Sequence, residues 1–335
     1  MSGEGSGLKM KREIDKMLKT LDIHPVLVDI GASAGPPVVW EPFAKNSVYV
    51  GFDPDLREIQ DIPEGKFARS IIFNDAVTSD AGQTEIEFYL THSPYCSSTL
   101  APDTESLANY LFSDLFITER MVSVRSCSLN AVIDRLGLSR VDWFKTDSQG
   151  TDLRLFQSLR DDLRDRVLAI DIEPGLIDAY QGEDLFVDAH RELLYQGFWL
   201  SKLNVKGTVR MKRNTLQAIA SRHPKCTDTL VYSAVQPSPG WCEASYLRTL
   251  ESLQNRNAHS RDYALLWVFA MVEKQWGYGL DIAFAYEAQF GPDDISKQLR
   301  ILPLKQICRN ENFRSIAKRL LPEQAQKLIR KLIQG

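Results

Sequence analysis

The chain predicts an α/β fold built on a seven-stranded, mostly parallel sheet with helices on both faces and an α-helical C-terminal extension. Three observations predict it. Short apolar runs alternate with segments of helical spacing, the pattern of βαβ units. Four of those runs, over 335 residues, carry an acid at or near the carboxyl end, at Asp29, Asp53, Asp147 and Glu173. Carboxyl ends of parallel strands lie along one edge of a sheet, so these acids should converge on one cleft. The first run, Val26 to Ile30, breaks into a glycine turn at Gly31 and Gly35, where backbone with positive φ and close approach to a ligand become available.

The elements follow in order. Leu8 to Leu21 carries Ile14, Met17, Leu18 and Leu21 at helical spacing, after a Gly/Ser-rich start expected to be disordered. Val26, Leu27, Val28 and Ile30 form a buried strand interrupted by Asp29. Ser47 to Asp53 is a second strand and Phe67 to Phe73 a third, leaving through Asn74-Asp75-Ala76-Val77. Glu85 to Leu90 alternates after the turn Asp80-Ala81-Gly82 and predicts a hairpin with residues before that turn. Thr91 to Leu100 is a hydroxyl-rich loop, read either as surface or as the floor or lid of a site. Val122 to Cys127 is β-prone and Leu129 to Leu136 helical. Strands are predicted over Val141–Asp147, Val167–Glu173, Phe198–Leu203 and Thr229–Ser233, with helices over Thr151–Leu159 and Leu185–Gln196.

Gln236-Pro237-Ser238-Pro239-Gly240 reads as a linker. Residues 1-25 are thus an N-terminal helix and tip, 26-235 a ligand-binding α/β domain and 236-335 a helical extension. Helices are predicted there over Cys242–Leu253, Arg261–Trp276 and Phe313–Ile333. The aromatic-rich stretch Trp267 to Phe290 is core, with a homodimer surface or an acceptor lid as alternatives. The last helix is basic, through Arg314, Lys318, Arg319, Lys327, Arg330 and Lys331. It either packs on its own protein or rests on a membrane surface.

A net charge of -4 argues against bulk nucleic-acid binding. The five cysteines are odd in number and form no C-x-x-C, so neither a disulfide framework nor a zinc knuckle is indicated. The N-terminus has no apolar core of signal-peptide length and no run is long enough to span a bilayer, so a cytoplasmic protein is expected.

Several ligand readings compete at the glycine turn. A dinucleotide fingerprint, G-x-G-x-x-G, counted from Gly31, fails at Ser33 and Pro36. Asp-x-Gly-x-x-x-Gly, filled by Asp29, Gly31 and Gly35, is the pattern of S-adenosylmethionine (SAM) sites. There a carboxylate faces an ammonium and no phosphate is cradled. An ordinary strand-to-helix turn is the third reading. Asp53 stands where a ribose diol is held in nucleotide-binding folds, or caps the next helix. Asn74 and Asp75 stand where an adenine edge is reached, or make a turn.

The order of these motifs resembles the FkbM-type SAM-dependent methyltransferases. The likeness rests on VDIGASAG at 28-35, VGFDPD at 50-55, NDAVTSDAG at 74-82, SSTL at 97-100, SLNAVIDRL at 128-136, VDWFKTDSQGTDLRLF at 141-156 and AIDIEP at 169-174. It covers roughly residues 26 to 203, and Lys145 to Gly150 is its most telling block. Ser33 stands where the family usually has Asn, and Asp53 where it has Glu. The resemblance implies a Rossmann-like fold and O-methylation of a sugar, glycolipid or natural-product acceptor. Asp29, Gly31, Ser33, Gly35, Asp53, Asp75 and Ala76 would then meet the cofactor. A hydroxyl nucleophile needs a base within hydrogen-bond reach, and the candidates are Asp147 first, then Glu173 and His92. Two acids together could hold a divalent metal, but no His pair has ligand spacing and none is assigned. A methyltransferase-fold protein without catalysis, acting as an interaction module, is the alternative from another class, and a nicotinamide oxidoreductase is a second enzyme reading.

Overall fold

The computed structural model describes residues 4-55, 57 and 61-309. The basic helix expected at Phe313–Ile333 lies outside them. The strands are β1 (Val26–Ile30), β2 (Val48–Phe52), β3 (Arg69–Phe73), β4 (Ala76–Val77), β5 (Glu85–Thr91), β6 (Thr118–Cys127), β7 (Trp143–Thr146), β8 (Ala169–Ile172), β9 (Phe198–Thr208) and β10 (Ser238–Arg248). The helices are α1 (Glu4–Thr20), α2 (Thr104–Leu107), α3 (Leu129–Arg135), α4 (Asp152–Gln157), α5 (Asp161–Arg164), α6 (Phe186–Tyr195), α7 (Arg213–Ala220), α8 (Asp228–Ala234), α9 (Leu250–Asn255), α10 (Ser260–Val272), α11 (Trp276–Phe290) and α12 (Asp294–Arg309). No helix among the described residues is long and apolar enough to cross a membrane.

The chain divides into two compact units, one of Pro25–Pro36 and Ser47–Tyr246, the other of the residues to His24, Pro37–Asn46 and those from Leu247 onward. The divide thus falls after Tyr246 rather than at Gln236. The first unit holds a seven-stranded sheet in the order β3-β2-β1-β7-β8-β10-β9. The pairs β2–β3, β1–β2, β1–β7 and β7–β8 are parallel. Residues two apart share a face, and Val28 with Ile30, Val50 with Phe52, and Ile170 with Ile172 pack into one core with residues of α3, α4, α5 and α6.

Strand order departs from chain order at β1. From there the chain moves outward to β2 and β3, then returns to place β7 on the other side of β1. A crevice opens outside the carboxyl ends of strands at such a switch point. A second sheet, in the order β4-β6-β5, stands beside this series in the same unit.

Three expectations are corrected. Glu85–Leu90 pairs not across the Asp80–Gly82 turn but antiparallel with β6, from Glu85 opposite Arg125 to Thr91 opposite Thr118. Thr229–Ser233 is helix α8, because the Thr227 hydroxyl caps the Leu230 N–H at 3.3 Å and so satisfies a free helix-end donor. The seventh strand is instead β10, which takes in the expected linker and the start of the expected Cys242–Leu253 helix. Gly207 makes this possible, since a Cβ there would lie 2.4 Å from the Ser238 carbonyl oxygen.

In the second unit α1 starts at Glu4, four residues before the expected Leu8, and so includes part of the Gly/Ser-rich start. The expected Arg261–Trp276 helix ends at Val272, where Lys274 takes φ 63° and turns the chain into α11. From Tyr263 to Met271 every residue of α10 is buried, as fits a helix surrounded on all sides. The Phe43 and Phe269 rings meet at 5.6 Å, and the Trp267 indole N–H donates to the Leu299 carbonyl at 2.9 Å.

Candidate functional site

The exits of β1, β2 and β7 surround a cleft that is open to solvent. It is lined by Ile30, Gly31 and Ser33 after β1, Phe52 to Asp55 after β2, and Asp147, Ser148, Gln149 and Thr151 after β7. Asp75, Ala76, Val77 and Phe88 come from the second sheet and its approach, and Pro94, Tyr95, Ser97 and Thr99 from the Thr91–Leu100 loop. Of the sequence-expected residues, Gly31, Ser33, Asp53, Asp75, Ala76 and Asp147 therefore meet at one cleft. Asp29, Gly35, Glu173 and His92 are not among its lining. His92 is exposed, with its backbone N–H bonded to the Ile117 carbonyl at 2.9 Å. Gly35 closes a turn on the Ala32 carbonyl at 3.0 Å.

Asp29 is placed by strand register. It is fully buried and lies opposite Lys145 across the β1–β7 pairing and opposite Gly51 across β1–β2. One carboxylate oxygen pairs with the Lys145 ammonium at 2.9 Å. The other accepts from the Tyr49 hydroxyl at 2.9 Å. Gly51 lets the Tyr49 ring pass, since a Cβ there would lie 2.9 Å from it. The expected partner of Asp29, the ammonium of a ligand, is thus replaced by the chain's own lysine. Burial pushes the Asp29 carboxyl above its usual range, against Lys145 and Tyr49. Burial also opposes the charge on Lys145, but Asp29, Asp147 and Glu173 together hold its ammonium above the usual value.

Gly31 serves the same closure. Its φ is 79°, and a Cβ would lie 2.2 Å from the Asp147 carbonyl oxygen, so only glycine lets the exits of β1 and β7 come this close. The close approach read from the sequence is made to backbone. The Gly31 carbonyl accepts from Lys145 at 3.0 Å.

Asp53 keeps capacity for a ligand. One oxygen accepts from the Ser33 N–H at 2.9 Å and the other from the Asp55 N–H at 2.8 Å. A carboxylate has about four acceptor sites, so each oxygen retains one for a vicinal diol. Burial pushes the Asp53 carboxyl up to about 6 despite these bonds. Asp55 forms a forked ion pair with Arg57, which also donates to the Ser97 hydroxyl at 2.9 Å. Asp75 pairs with Arg125 at 3.0 Å.

The β7 exit is held from within. Asp152, at the start of α4, accepts on one oxygen from the Thr146 hydroxyl at 2.8 Å, the Ser148 N–H at 3.0 Å and the Ser148 hydroxyl at 2.8 Å. Burial pushes Asp152 up to about 6. Burial, and the nearby Asp147, push Glu173 up to about 8. Burial raises Glu183 to about 7, against the Ala179 and Tyr180 N–H groups that bind it. Among the described residues no three His, Cys, Asp or Glu side chains are grouped to hold a metal ion.

Sequence reading assigned no role to Lys145, Gln149, Asp152 or Tyr180. Lys145 carried a signal, because a cation on a buried strand needs a partner. Gln149 and Tyr180 meet only through loop conformation, which periodicity does not report. Comparisons with models of protein families, with curated proteins and with solved structures find no match to this chain.

Proposed function

We propose that the protein is a SAM-dependent O-methyltransferase acting on a hydroxyl of a sugar, glycolipid or natural-product acceptor, with a Rossmann-like sheet as its body. The observation that carries this reading is the convergence of Asp53, Asp75 and Asp147 on one cleft at the switch between β1 and β7. The donor set fits the cofactor in part. Asp53 has acceptor sites left for a ribose diol, and Asp75 and Ala76 offer a polar edge beside the apolar Phe52 and Val77. When bound, SAM supplies a sulfonium methyl that an acceptor oxygen takes as the sulfur–methyl bond breaks, leaving S-adenosylhomocysteine. Asp147 receives the proton lost by the acceptor hydroxyl. The rest of the chain's contribution is alignment of the two reactants.

The second reading, a non-catalytic interaction module on a methyltransferase fold, is favoured by Asp29, whose two oxygens are engaged within the chain. Calorimetry with SAM and S-adenosylhomocysteine separates the two. Micromolar binding of either supports the enzyme, and no heat with both overturns it. Labelled SAM with a panel of hydroxylated acceptors, read by mass spectrometry, then identifies the acceptor class.

A further inference from the structure

Gln149 is the one residue of the cleft lining that combines side-chain bonding to Asp147 with left-handed backbone. Its φ is 56°, a region that non-glycine residues occupy at a cost and that persists where the surroundings impose it. Two surroundings do so here. The Ser98 hydroxyl donates to the Gln149 carbonyl at 2.7 Å. Gly150 follows with φ 106°, and a Cβ on it would crowd Leu100, Glu183 and Tyr180 at 3.1, 3.3 and 3.4 Å.

The side chain reaches in two directions. Its Nε2 donates to Asp147 Oδ1 at 2.5 Å. Its Oε1 accepts from the Tyr180 hydroxyl at 2.9 Å. A carboxylate only accepts, so the amide nitrogen must face Asp147 and the amide oxygen must face Tyr180. The Tyr180 hydroxyl also lies 2.9 Å from the Cys96 carbonyl. Its ring is fixed edge-on to Phe116 at 5.6 Å. We infer that Gln149 is a positioning residue: held by Tyr180, it fixes the Asp147 carboxylate at the cleft.

This inference rests on the methyl-transfer reading for its kinetic consequences, but not for its electrostatic one. Besides Gln149, the groups near enough to feel the charge of Asp147 are Lys145 on β7, Asp29 on β1, Asp152 at the start of α4, Glu173 after β8, Cys96 in the Thr91–Leu100 loop and Tyr180. All remain when the amide is removed. Loss of a hydrogen bond to the charged form raises a carboxyl's titration midpoint.

The test uses Gln149→Gly, which is at ease with positive φ and keeps the turn while losing the amide, and Tyr180→Phe, which keeps the ring. With the full chain, Gln149→Gly lowers kcat about tenfold or more, as expected when a general base is misaimed, with the KM for SAM unchanged. The acidic limb of its kcat profile moves up by about one pH unit. Tyr180→Phe moves both in the same direction by less. Unchanged kcat and limb in Gln149→Gly overturn the inference. A readout free of cofactor accompanies it: NMR titration of 13C-carboxyl aspartate, with Asp147 assigned by Asp147→Asn. A higher Asp147 midpoint in Gln149→Gly than in the unaltered chain supports the inference, and coincident curves overturn it. Absence of SAM binding by the unaltered chain overturns the methyl-transfer reading instead, so the two failures are told apart.

Discussion

The rim at the exits of β1, β2 and β7 and the helical unit around α10 bury opposite kinds of group. In α10 nine successive residues, Tyr263 to Met271, are buried, and the polar atoms that go with them are bonded, as Trp267 is to Leu299. At the rim burial falls on carboxyls instead. It pushes Asp53 and Asp152 up to about 6, Glu183 to about 7 and Glu173 to about 8. Apolar burial contributes roughly 25 cal/mol per Å2, whereas a buried charge opposes folding unless paired. Of these carboxyls only Asp53 lines the cleft, where Gln149 also keeps φ 56°; on the methyl-transfer reading such costs serve chemistry rather than stability.

The sharpest way to break this contrast is to make equally severe changes in both regions and vary pH. Phe269→Ala removes a fully buried ring and costs about 3-5 kcal/mol, by the same amount at pH 5 and pH 8. Lys145→Met leaves Asp29 buried without its cation, at a cost of about 3-5 kcal/mol near neutrality. That cost shrinks at acid pH, where Asp29 can take up a proton. Adding Asp29→Leu to Lys145→Met recovers much of the loss, because neither charge is then stranded. Chemical denaturation at the two pH values checks this. A pH-independent Lys145→Met loss would mean that Asp29 and Lys145 act as packing, like Phe269.

Glu173 gives a smaller effect of defined sign. Its folded value, about 8, lies above the ordinary 4.5. The folded chain therefore binds the extra proton, and the stability this confers is complete below about 4.5 and is lost as pH rises through about 8. Glu173→Gln, a permanently neutral mimic, should melt like the unaltered protein near pH 5. At pH 8.5 it should melt higher, by a margin on the order of a few kcal/mol at most. Parallel melting curves at both pH values would place Glu173 in a more solvated setting than its burial implies.

The sheet was legible because its residues obey local rules. β1, β2, β7 and β8 fall within the predicted runs, since an apolar run between turn signals is a local property. β10 was misread as linker because Pro237, Pro239 and Gly240 signal a break, whereas its pairing depends on Gly207, thirty residues away and on another strand. Its alternation of buried Cys242, Ala244 and Tyr246 was the available signal. At the site, two of the four strand-end acids, Asp53 and Asp147, line the cleft, while Asp29 and Glu173 do not. The strand-end pattern did not reveal that Asp29 would be answered by Lys145, because register partners lie more than a hundred residues apart. Nor did it reveal Gln149 and Tyr180, whose meeting depends on two loops.

Asp53 and Asp29 make the finest comparison, two buried acids, one just after β2 and one on its neighbour β1. Asp29 has both oxygens answered by side chains, while those of Asp53 are answered by the Ser33 and Asp55 N–H groups with acceptor sites to spare. On the methyl-transfer reading, only Asp53 exchanges bonds with a ligand. Asp53→Ala should weaken SAM binding about tenfold, roughly 1.4 kcal/mol, by removing a charge-assisted hydrogen bond. Asp53→Asn should lose less, since one side-chain oxygen still accepts. Asp29→Asn should change affinity by less than either, with its effect appearing in the melting curve. Calorimetry on the three variants reads the order directly. Should Asp29→Asn prove the most damaging to affinity while melting normally, the Lys145 pairing must open when ligand binds, and Asp29 would then face the ligand ammonium as its glycine-turn pattern implies.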